Sequence, residues 1–505
     1  MSNLSDLFPA GAGKQVSFVA SGTVGDGVTV ILNSDGTVSA VSGQSYSAES
    51  EVSAPGSDTS TSHSAAVFDS TNNKVVVCYR KSGNSYAVVG TISGSTISFG
   101  TAVEFLTNRD MSRPVMAFDS NEDQVIIAYR DDGSGANNYG QAIAGKVSGT
   151  SISFGTASTF YSNSIAEVAI AFDDDTNVFS VFFPEITTGK GAYYTGTVSS
   201  SSYIAWRAYN YFDASTNNAR GISACFDSNA NAFVLSYGGA TSKKAIAGTL
   251  STYTINFGTA VDFSSSTVYV TNYTPRPVVF DSVNNKVVFL YNAYDAGGTY
   301  LTDYALAAAV GTVSGNSISF GDEAKAPEVS GGFLTTSNMF ATFDPDTAEV
   351  VVVLQVNDNS SQIITFKVSG TSGSFISQFN GFNGTSTAAS RCVVYDTNAN
   401  KCVATFVDYG DSSKTNAMVF DAPSTNATSE NFIGISDGAI SNGASGRVTI
   451  KGGVSSKVSS LTANSVYYVA NSGSITTTLS AAVTTNTVLA GRAMSSTSID
   501  LDYST

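Results

Sequence analysis

Charge, sulfur and histidine are what this chain of 505 residues is short of. Charged residues make up 13%, about half of the roughly 25% usual in soluble domains. Lys+Arg 24 against Asp+Glu 40 leave a formal charge of −16. So few basic residues cannot neutralise a run of phosphates, which excludes nucleic acid and anionic membrane surfaces as partners. A single histidine, His63, excludes a His-pair metal site and leaves room for no Ser–His pair beyond itself. Four cysteines, Cys78, Cys225, Cys392 and Cys402, are too few for a disulfide scaffold and form no CxxC pair. Three of them sit inside apolar, strand-like runs, so buried free thiols and synthesis in a reducing cytosol are expected. The longest apolar runs, such as 350–354 and 305–310, fall far short of the ~20 residues that span a bilayer. Residues 1–8 have no basic stretch followed by an apolar one, and no signal peptide is expected there.

What fills the space is Ser, Thr, Asn and 46 Gly, with 42% hydrophobic and 11% aromatic residues. That balance is not the signature of disorder, and the chain can bury a large core. A repeat organises it. The aromatic-Asp pair of Val67-Phe68-Asp69-Ser70 recurs at Phe118-Asp119, Phe172-Asp173, Phe226-Asp227, Phe280-Asp281, Phe343-Asp344 and Tyr395-Asp396. The seven Asp positions are spaced 50, 54, 54, 54, 63 and 52 residues apart. An Asn-rich turn and a β-branched run follow, as at 74–79, 124–129, 286–291, 349–354 and 401–406. A third run comes next, then in most units a fourth such as Thr96-Ile97-Ser98-Phe99-Gly100 or Ser317-Ile318-Ser319-Phe320-Gly321. Helical periodicity is absent. Seven units of four short strands predict an all-β fold, a seven-bladed β-propeller of four-stranded blades.

The seventh unit stops after its third run, while residues 45–52 stand ahead of the first unit where a fourth strand would be. The spacing predicts that this N-terminal segment closes the ring and hides two free sheet edges. The propeller is then expected over 42–424, with a small β-domain built from 1–41 and 425–505. Strand-like runs at 15–20, 28–32, 37–41, 432–435, 446–451, 465–470 and 488–490 support that division, and 421–431 reads as the linker.

The opening Phe8-Pro9-Ala10-Gly11-Ala12-Gly13-Lys14-Gln15-Val16-Ser17-Phe18 and Ala20-Ser21-Gly22-Thr23-Val24-Gly25-Asp26-Gly27 resembles those of tailed-bacteriophage structural proteins. Phe432-Ile433-Gly434-Ile435-Ser436-Asp437-Gly438-Ala439-Ile440-Ser441-Asn442-Gly443 is similar to a module of phage tail-fibre and virion-surface proteins. Gly452-Gly453-Val454 and Tyr467-Tyr468-Val469 agree with it, and the likeness covers about a quarter of the chain. The resemblance implies a virion protein, made in the host cytoplasm, whose terminal domain contacts other virion proteins while the propeller projects. It also implies multiple copies on the particle or a homo-oligomer.

Few residues invite catalysis. The seven Asp residues read as turn formers that bond the backbone beyond them, with calcium binding as the alternative. Asp173-Asp174-Asp175 lacks the Gly and distal Glu of a calcium loop. The Ser-x-Asp-x-Gly-x-x-Trp box of sialidase-type propellers is absent, and Trp206 is the only Trp. No catalytic residue, metal or cofactor is expected, and the chain reads as a non-enzyme. Binding candidates lie at the other end of the units. Five to seven residues ahead of the repeated Asp stand Arg113, Arg220, Arg276 and Arg391, four of ten arginines, with His63, Glu167 and Asn338 in that place elsewhere. In a ring these converge on the channel mouth, where they either bind an anion or pair with acidic loops of neighbouring blades. Tyr193, Tyr194, Tyr203 and Trp206 crowd the third unit, and Tyr294 and Tyr300 ride the long 292–303 segment. Those left exposed are candidates for stacking on sugar rings.

Three functions remain open. The leading one is a tail-associated adhesin that holds a host-surface glycan or protein and is not inserted in the membrane. The others are a capsid-decoration or tail-architecture protein with no receptor role, and a polysaccharide-degrading propeller enzyme.

Overall fold

In the computed structural model of this chain the described residues are 14–41, 52–56, 61–133, 135, 137–215, 219–238, 243–264, 277–294, 304–326, 339–355, 361–380, 387–408, 412–420, 427, 430–470, 473–477 and 488–501. Every regular element among them is a β-strand. The chain separates into two compact units, Ala48–Ala422 and a second built from Met1–Ser47 with Pro423–Thr505.

The larger unit is a β-propeller. Its first sheet runs through Thr61–Asp69, Lys74–Lys81, Asn84–Ser93 and Thr96–Phe99, each strand antiparallel to the one before. The same up-and-down order repeats in the sheets that begin at Met111–Asp119, Ala169–Asp173, Arg220–Asp227, Val278–Asp281 and Met339–Asp344. The seventh sheet among the described residues holds Thr387–Asp396, Lys401–Asp408 and Lys414–Phe420, and its fourth strand is Val52–Ser53, with Val52 opposite Ala417. Each first strand packs beside the first strand of the next sheet, and Thr387–Asp396 packs back against Thr61–Asp69. The ring is thereby closed on itself.

The second strands explain why the β-branched runs do not alternate. Val75, Val76, Val77, Cys78 and Tyr79 are all fully buried, as are Val125 to Tyr129. A sheet sandwiched between two neighbours buries both faces, so it needs apolar side chains at consecutive positions. Val76, Cys78, Ile127 and Tyr129 share a core between the first two sheets, and Val75, Val77, Val403 and Val419 share one across the seam. The Phe-Gly that ends the fourth strands has its own reason. A Cβ on Gly100 would strike the carbonyl oxygen of Thr150 in the next sheet, and Gly258 and Gly321 meet Asn316 and Thr371 in the same way. Adjacent sheets touch backbone to backbone there, which only glycine permits.

The repeated aspartates build the turns between first and second strands. Asp281 Oδ1 accepts the backbone N–H groups of Val283 at 3.0 Å and Asn284 at 2.9 Å, and Oδ2 accepts the Asn284 amide at 2.8 Å. Equivalent bonds reach Asp69, Asp119, Asp173, Asp227, Asp344 and Asp396, all at most 3% exposed. Four residues on, the backbone is left-handed at Asn73, Asp123, Asn177, Asn231, Asn285, Ala348 and Asn400. Asn and Asp tolerate that region better than other side chains, which accounts for the Asn-rich turn.

In the smaller unit the two termini share one sheet, ordered Gln15–Val19, Ser445–Ile450, Phe432–Ser436, Thr29–Leu32, Val38–Ala40. Val24, Val30, Val38, Ile433 and Val448 form its core. A second sheet combines Val454–Ser455, Ser498–Asp500, Leu489–Ser495, Val466–Val469 and Ile475–Thr476.

Candidate functional site

The antiparallel register carries every first strand from a mouth at one end to an Asp turn at the other: Asp69 lies opposite Lys74 and Ser62 opposite Arg80. At the mouth the first strands bulge. The ladder shifts between Ser62 and Ala65, between Ser112 and Val115, and between Arg220 and Ser223. The residue six before the repeated Asp takes a left-handed backbone in each of these three: His63 with φ 49, Arg113 with φ 50 and Gly221 with φ 60. A bulge re-aims the side chain it carries. Here it sets an imidazole among the charged groups that end the second strands and a guanidinium beside Glu167.

Those groups are Arg80 and Arg130, which sequence reasoning misses. Both follow a fully buried tyrosine and stand eleven residues after the repeated Asp; the Tyr79-Arg80 and Tyr129-Arg130 pairs, 50 residues apart, are the available signal. Arg80 Nε donates to Ser62 Oγ at 3.0 Å, and Arg130 Nη2 reaches Ser112 Oγ at 3.4 Å. Each of these guanidiniums also faces a carboxylate: Arg80 lies 3.9 Å from Asp110, Arg113 lies 3.8 Å from Glu167, and Arg130 grips Asp132 through two bonds of 2.5 Å. The Arg113–Glu167 pair joins the second sheet to the third, and Glu167 also accepts the backbone N–H of Ile222 in the fourth at 3.2 Å. Burial, together with Arg80, Arg113 and Arg130, pushes the His63 imidazole down to about 4 against the opposing pull of Asp132. The mouth is therefore a lattice of matched charges around a neutral imidazole.

The other sequence candidates fall out differently. Arg220 starts its strand opposite Gly238, one residue before the bulge rather than on it. Arg391 lies opposite Phe406 within Thr387–Asp396, while Arg276, Asn338 and Tyr300 lie outside the described residues. Tyr294 ends its strand opposite Tyr304. Tyr193 is not a sugar platform: it is fully buried, and its hydroxyl donates to the Ile255 carbonyl at 3.1 Å and accepts from the Ile255 N–H at 3.0 Å. Trp206 packs against Phe160, Phe179 and Tyr194, with its indole N–H bonded to Ser158 at 2.9 Å. Tyr193 lies on Gly191–Val198, which is buried on both faces, and Trp206 turns in from the neighbouring strand Ile204–Asp213, leaving Tyr203, at 66% exposure, on the surface. Asp173, the calcium candidate, spends its oxygens on Asp175 and Thr176.

Two further polar assemblies stand twelve residues after the repeated Asp. In the third sheet Glu185, 3% exposed, receives the hydroxyls of Tyr161 at 2.8 Å, Thr188 at 2.5 Å and Tyr209. Burial opposes its ionisation, but these bonds more than offset it and hold the carboxyl below its ordinary value. In the second sheet Asp131 lies at the floor of a cavity of about 260 Å³. Near the Asp-turn end, a cavity of about 420 Å³ opens among the first strands of the fourth to seventh sheets, lined in part by Cys225, Val279, Phe343 and Tyr395. All four cysteines are free thiols, and Cys392 donates to the Ala66 carbonyl across the seam.

No protein family and no curated protein matches the sequence. Solved structures do resemble it in fold. The periplasmic gluconolactonase PpgL of Pseudomonas aeruginosa is 10% identical with a TM-score of 0.43, over 73% of this chain and 99% of that one. A mutant of the NanB sialidase of Streptococcus pneumoniae is 10% identical with a TM-score of 0.41, over 73% and 70%. AofleA from Arthrobotrys oligospora is 9% identical with a TM-score of 0.42, over 70% and 92%. These correct one expectation. The sequence alone reads as that of a non-enzyme, but structures of this fold include, by their names, a gluconolactonase and a sialidase, so the exclusion of catalysis does not stand.

Proposed function

We propose that this propeller binds a saccharide at the channel mouth of its first three sheets. The observation that carries the reading is the pair His63 and Arg113. A left-handed backbone costs a non-glycine residue on the order of 1 kcal/mol, and the fourth sheet meets the same demand with Gly221. Two sheets keep a large polar side chain where glycine would serve the fold better. Ion pairs at 3.8 and 3.9 Å beside them offer a ligand both donors and acceptors, as hydroxyl-bearing rings require.

The setting we propose is a virion, with the terminal unit contacting other virion proteins and the propeller presented to host-surface glycans. The likeness of the terminal segments to phage structural proteins supports it. A second reading is turnover of the bound saccharide, favoured by the carboxylates of Asp110, Asp132 and Glu167 at the mouth, the groups that glycoside hydrolysis uses in pairs.

Glycan-array screening of the full chain, followed by calorimetry on the best ligand, tests both. His63→Gly and Arg113→Gly keep the backbone and remove the side chain, so they are expected to leave the melting temperature near wild type while weakening binding by about tenfold or more. Unchanged affinity in the double variant overturns the site. Product release from the bound glycan, lost in His63→Gly, selects the enzyme reading over the adhesin.

A further inference from the structure

The cavity between the first and second sheets is lined by Asn108, Arg109, Asp131, Tyr139, Gln141 and Thr159, together with backbone glycine. Asp131 is fully buried and Gln141 is 5% exposed. Asp131 Oδ2 accepts from Arg109 Nη1 at 2.6 Å and from Gln141 Nε2 at 3.0 Å, and Oδ1 accepts the Gly133 N–H at 3.0 Å. Gln141 is fixed from behind, because the buried Tyr129 hydroxyl donates to its Oε1 at 3.2 Å. The floor is thus a fully connected network, Tyr129 to Gln141 to Asp131, capped by the Arg109 guanidinium.

The repeat does not ask for this network. Twelve residues after the repeated Asp, the first sheet has Lys81 and the fifth has Ala293, and the residues facing Tyr79 and Tyr291 across the ladder are Tyr86 and Ala307, not Gln. The first and fifth sheets fold without a carboxylate here, the third holds its Glu185 by side-chain hydroxyls alone, and burying one is costly unless it is fully bonded. The pocket it floors has one cation and one anion in direct contact, so its lining carries no net charge. At about 260 Å³ it falls just below the roughly 300–1,000 Å³ of sites for drug-sized ligands. Arg109 spends one N–H on Asp131, and the guanidinium fork carries five. Tyr139, half-buried on one wall, supplies an aromatic ring, and Asn108 and Thr159 supply an amide and a hydroxyl at the exposed rim.

We infer that this cavity is a binding site for one neutral sugar ring. A vicinal diol lies along the Arg109 fork, the apolar face of the ring packs on Tyr139, and the rim groups bond the remaining hydroxyls. This site is separate from the channel mouth and does not rest on the reading given there.

The test is saturation-transfer NMR and calorimetry on the full chain with methyl glycosides of glucose, galactose, mannose and fucose, and with glucuronate as the charged control. At least one neutral glycoside is expected to bind. Tyr139→Ala, at the wall and outside the buried network, should weaken it about tenfold, and Arg109→Lys, which loses the fork but keeps the charge beside Asp131, should do the same. Val283→Ala, exposed at an Asp turn and outside both sites, should leave it unchanged. Absence of binding by all four neutral glycosides, or binding that survives both Tyr139→Ala and Arg109→Lys, overturns the site. Binding of glucuronate alone also overturns it.

Discussion

The two ends of the propeller's first strands obey opposite rules. At the Asp-turn end the chain repeats itself: seven buried carboxylates accept the backbone beyond them, and seven left-handed residues follow at the same distance. At the mouth end the equivalent positions differ from sheet to sheet, with His63, Arg113, Glu167 and Gly221 in one place and Lys81, Asp131 and Glu185 in another. Repetition marks what every sheet needs in order to fold. Variation marks where individual sheets have been free to acquire a ligand, and both assemblies we assign to sugars lie at the varied end.

The comparison breaks first, and hardest, if an Asp turn is dispensable. Asp119→Ala would orphan the N–H groups of Asn121 and Glu122, which sit 3.0 and 2.9 Å from Oδ1, beneath a fully buried side chain. An unsatisfied buried donor costs about 1–3 kcal/mol, so a loss of roughly 3 kcal/mol and a melting temperature lower by several degrees are expected. Binding at the mouth should survive in the fraction that remains folded. Chemical denaturation beside calorimetry measures the two separately, and a stability unchanged within error would remove the Asp turn from the list of fold determinants.

Much of this division is legible in the sequence because turn chemistry is local. The Asp, the Asn four residues on and the β-branched run lie within a dozen residues, and the Phe-Gly signal reports a contact that recurs in sheet after sheet. The sites are not legible in that way. The sugar cavity draws Asn108 and Arg109 from the segment leaving one sheet, and Asp131, Gln141 and Thr159 from three places in the next. No spacing rule links them. The aromatic crowd of the third unit misleads for a related reason: strict alternation would expose half of it, but the ladder of Ile204–Asp213 shifts between Trp206 and Tyr209. Trp206 packs against Phe160 and Phe179 as a result, while Tyr193 is buried because its own strand, Gly191–Val198, is covered on both faces. The arginines mislead by proximity, since a shift of one residue separates Arg220 from the bulge that Gly221 occupies.

Acid sharpens the contrast, because the two ends respond with opposite sign. Burial raises the carboxyls of Asp69, Asp119, Asp173, Asp227 and Asp344 above their ordinary value of 3.8. The folded state then binds protons more readily than the unfolded one, so this end is relatively favoured as pH falls toward 4. His63 goes the other way. Its imidazole is held to about 4 when folded against 6.5 when unfolded, so the stability it contributes is complete above 6.5 and is lost as pH falls toward 4. His63→Asn, whose side chain tolerates the left-handed backbone, should therefore gain on the wild type by on the order of 1 kcal/mol between pH 7 and pH 5. Parallel denaturation curves at the two pH values measure it, and an unchanged difference between the proteins would mean that His63 titrates normally.

The smallest effects belong to Glu185, where the mouth end copies the logic of the Asp turn in looser form. Its carboxylate is as buried as the turn aspartates, but its partners are side-chain hydroxyls on Tyr161, Thr188 and Tyr209 instead of backbone, and Tyr209 is 38% exposed. Water can replace a phenol at that edge, whereas nothing replaces the carboxylate beneath a turn. Tyr209→Phe should accordingly cost about 1 kcal/mol or less, and Tyr161→Phe a similar amount, since each leaves Oε1 with the other hydroxyl. Removing both strips that oxygen of its tyrosine donors, so the double variant should lose more than the sum of the two. A double-mutant cycle by urea denaturation reads this coupling directly. Simple additivity would show that solvent already satisfies Glu185, and that burial at the mouth end is not the structural commitment it is at the Asp turns.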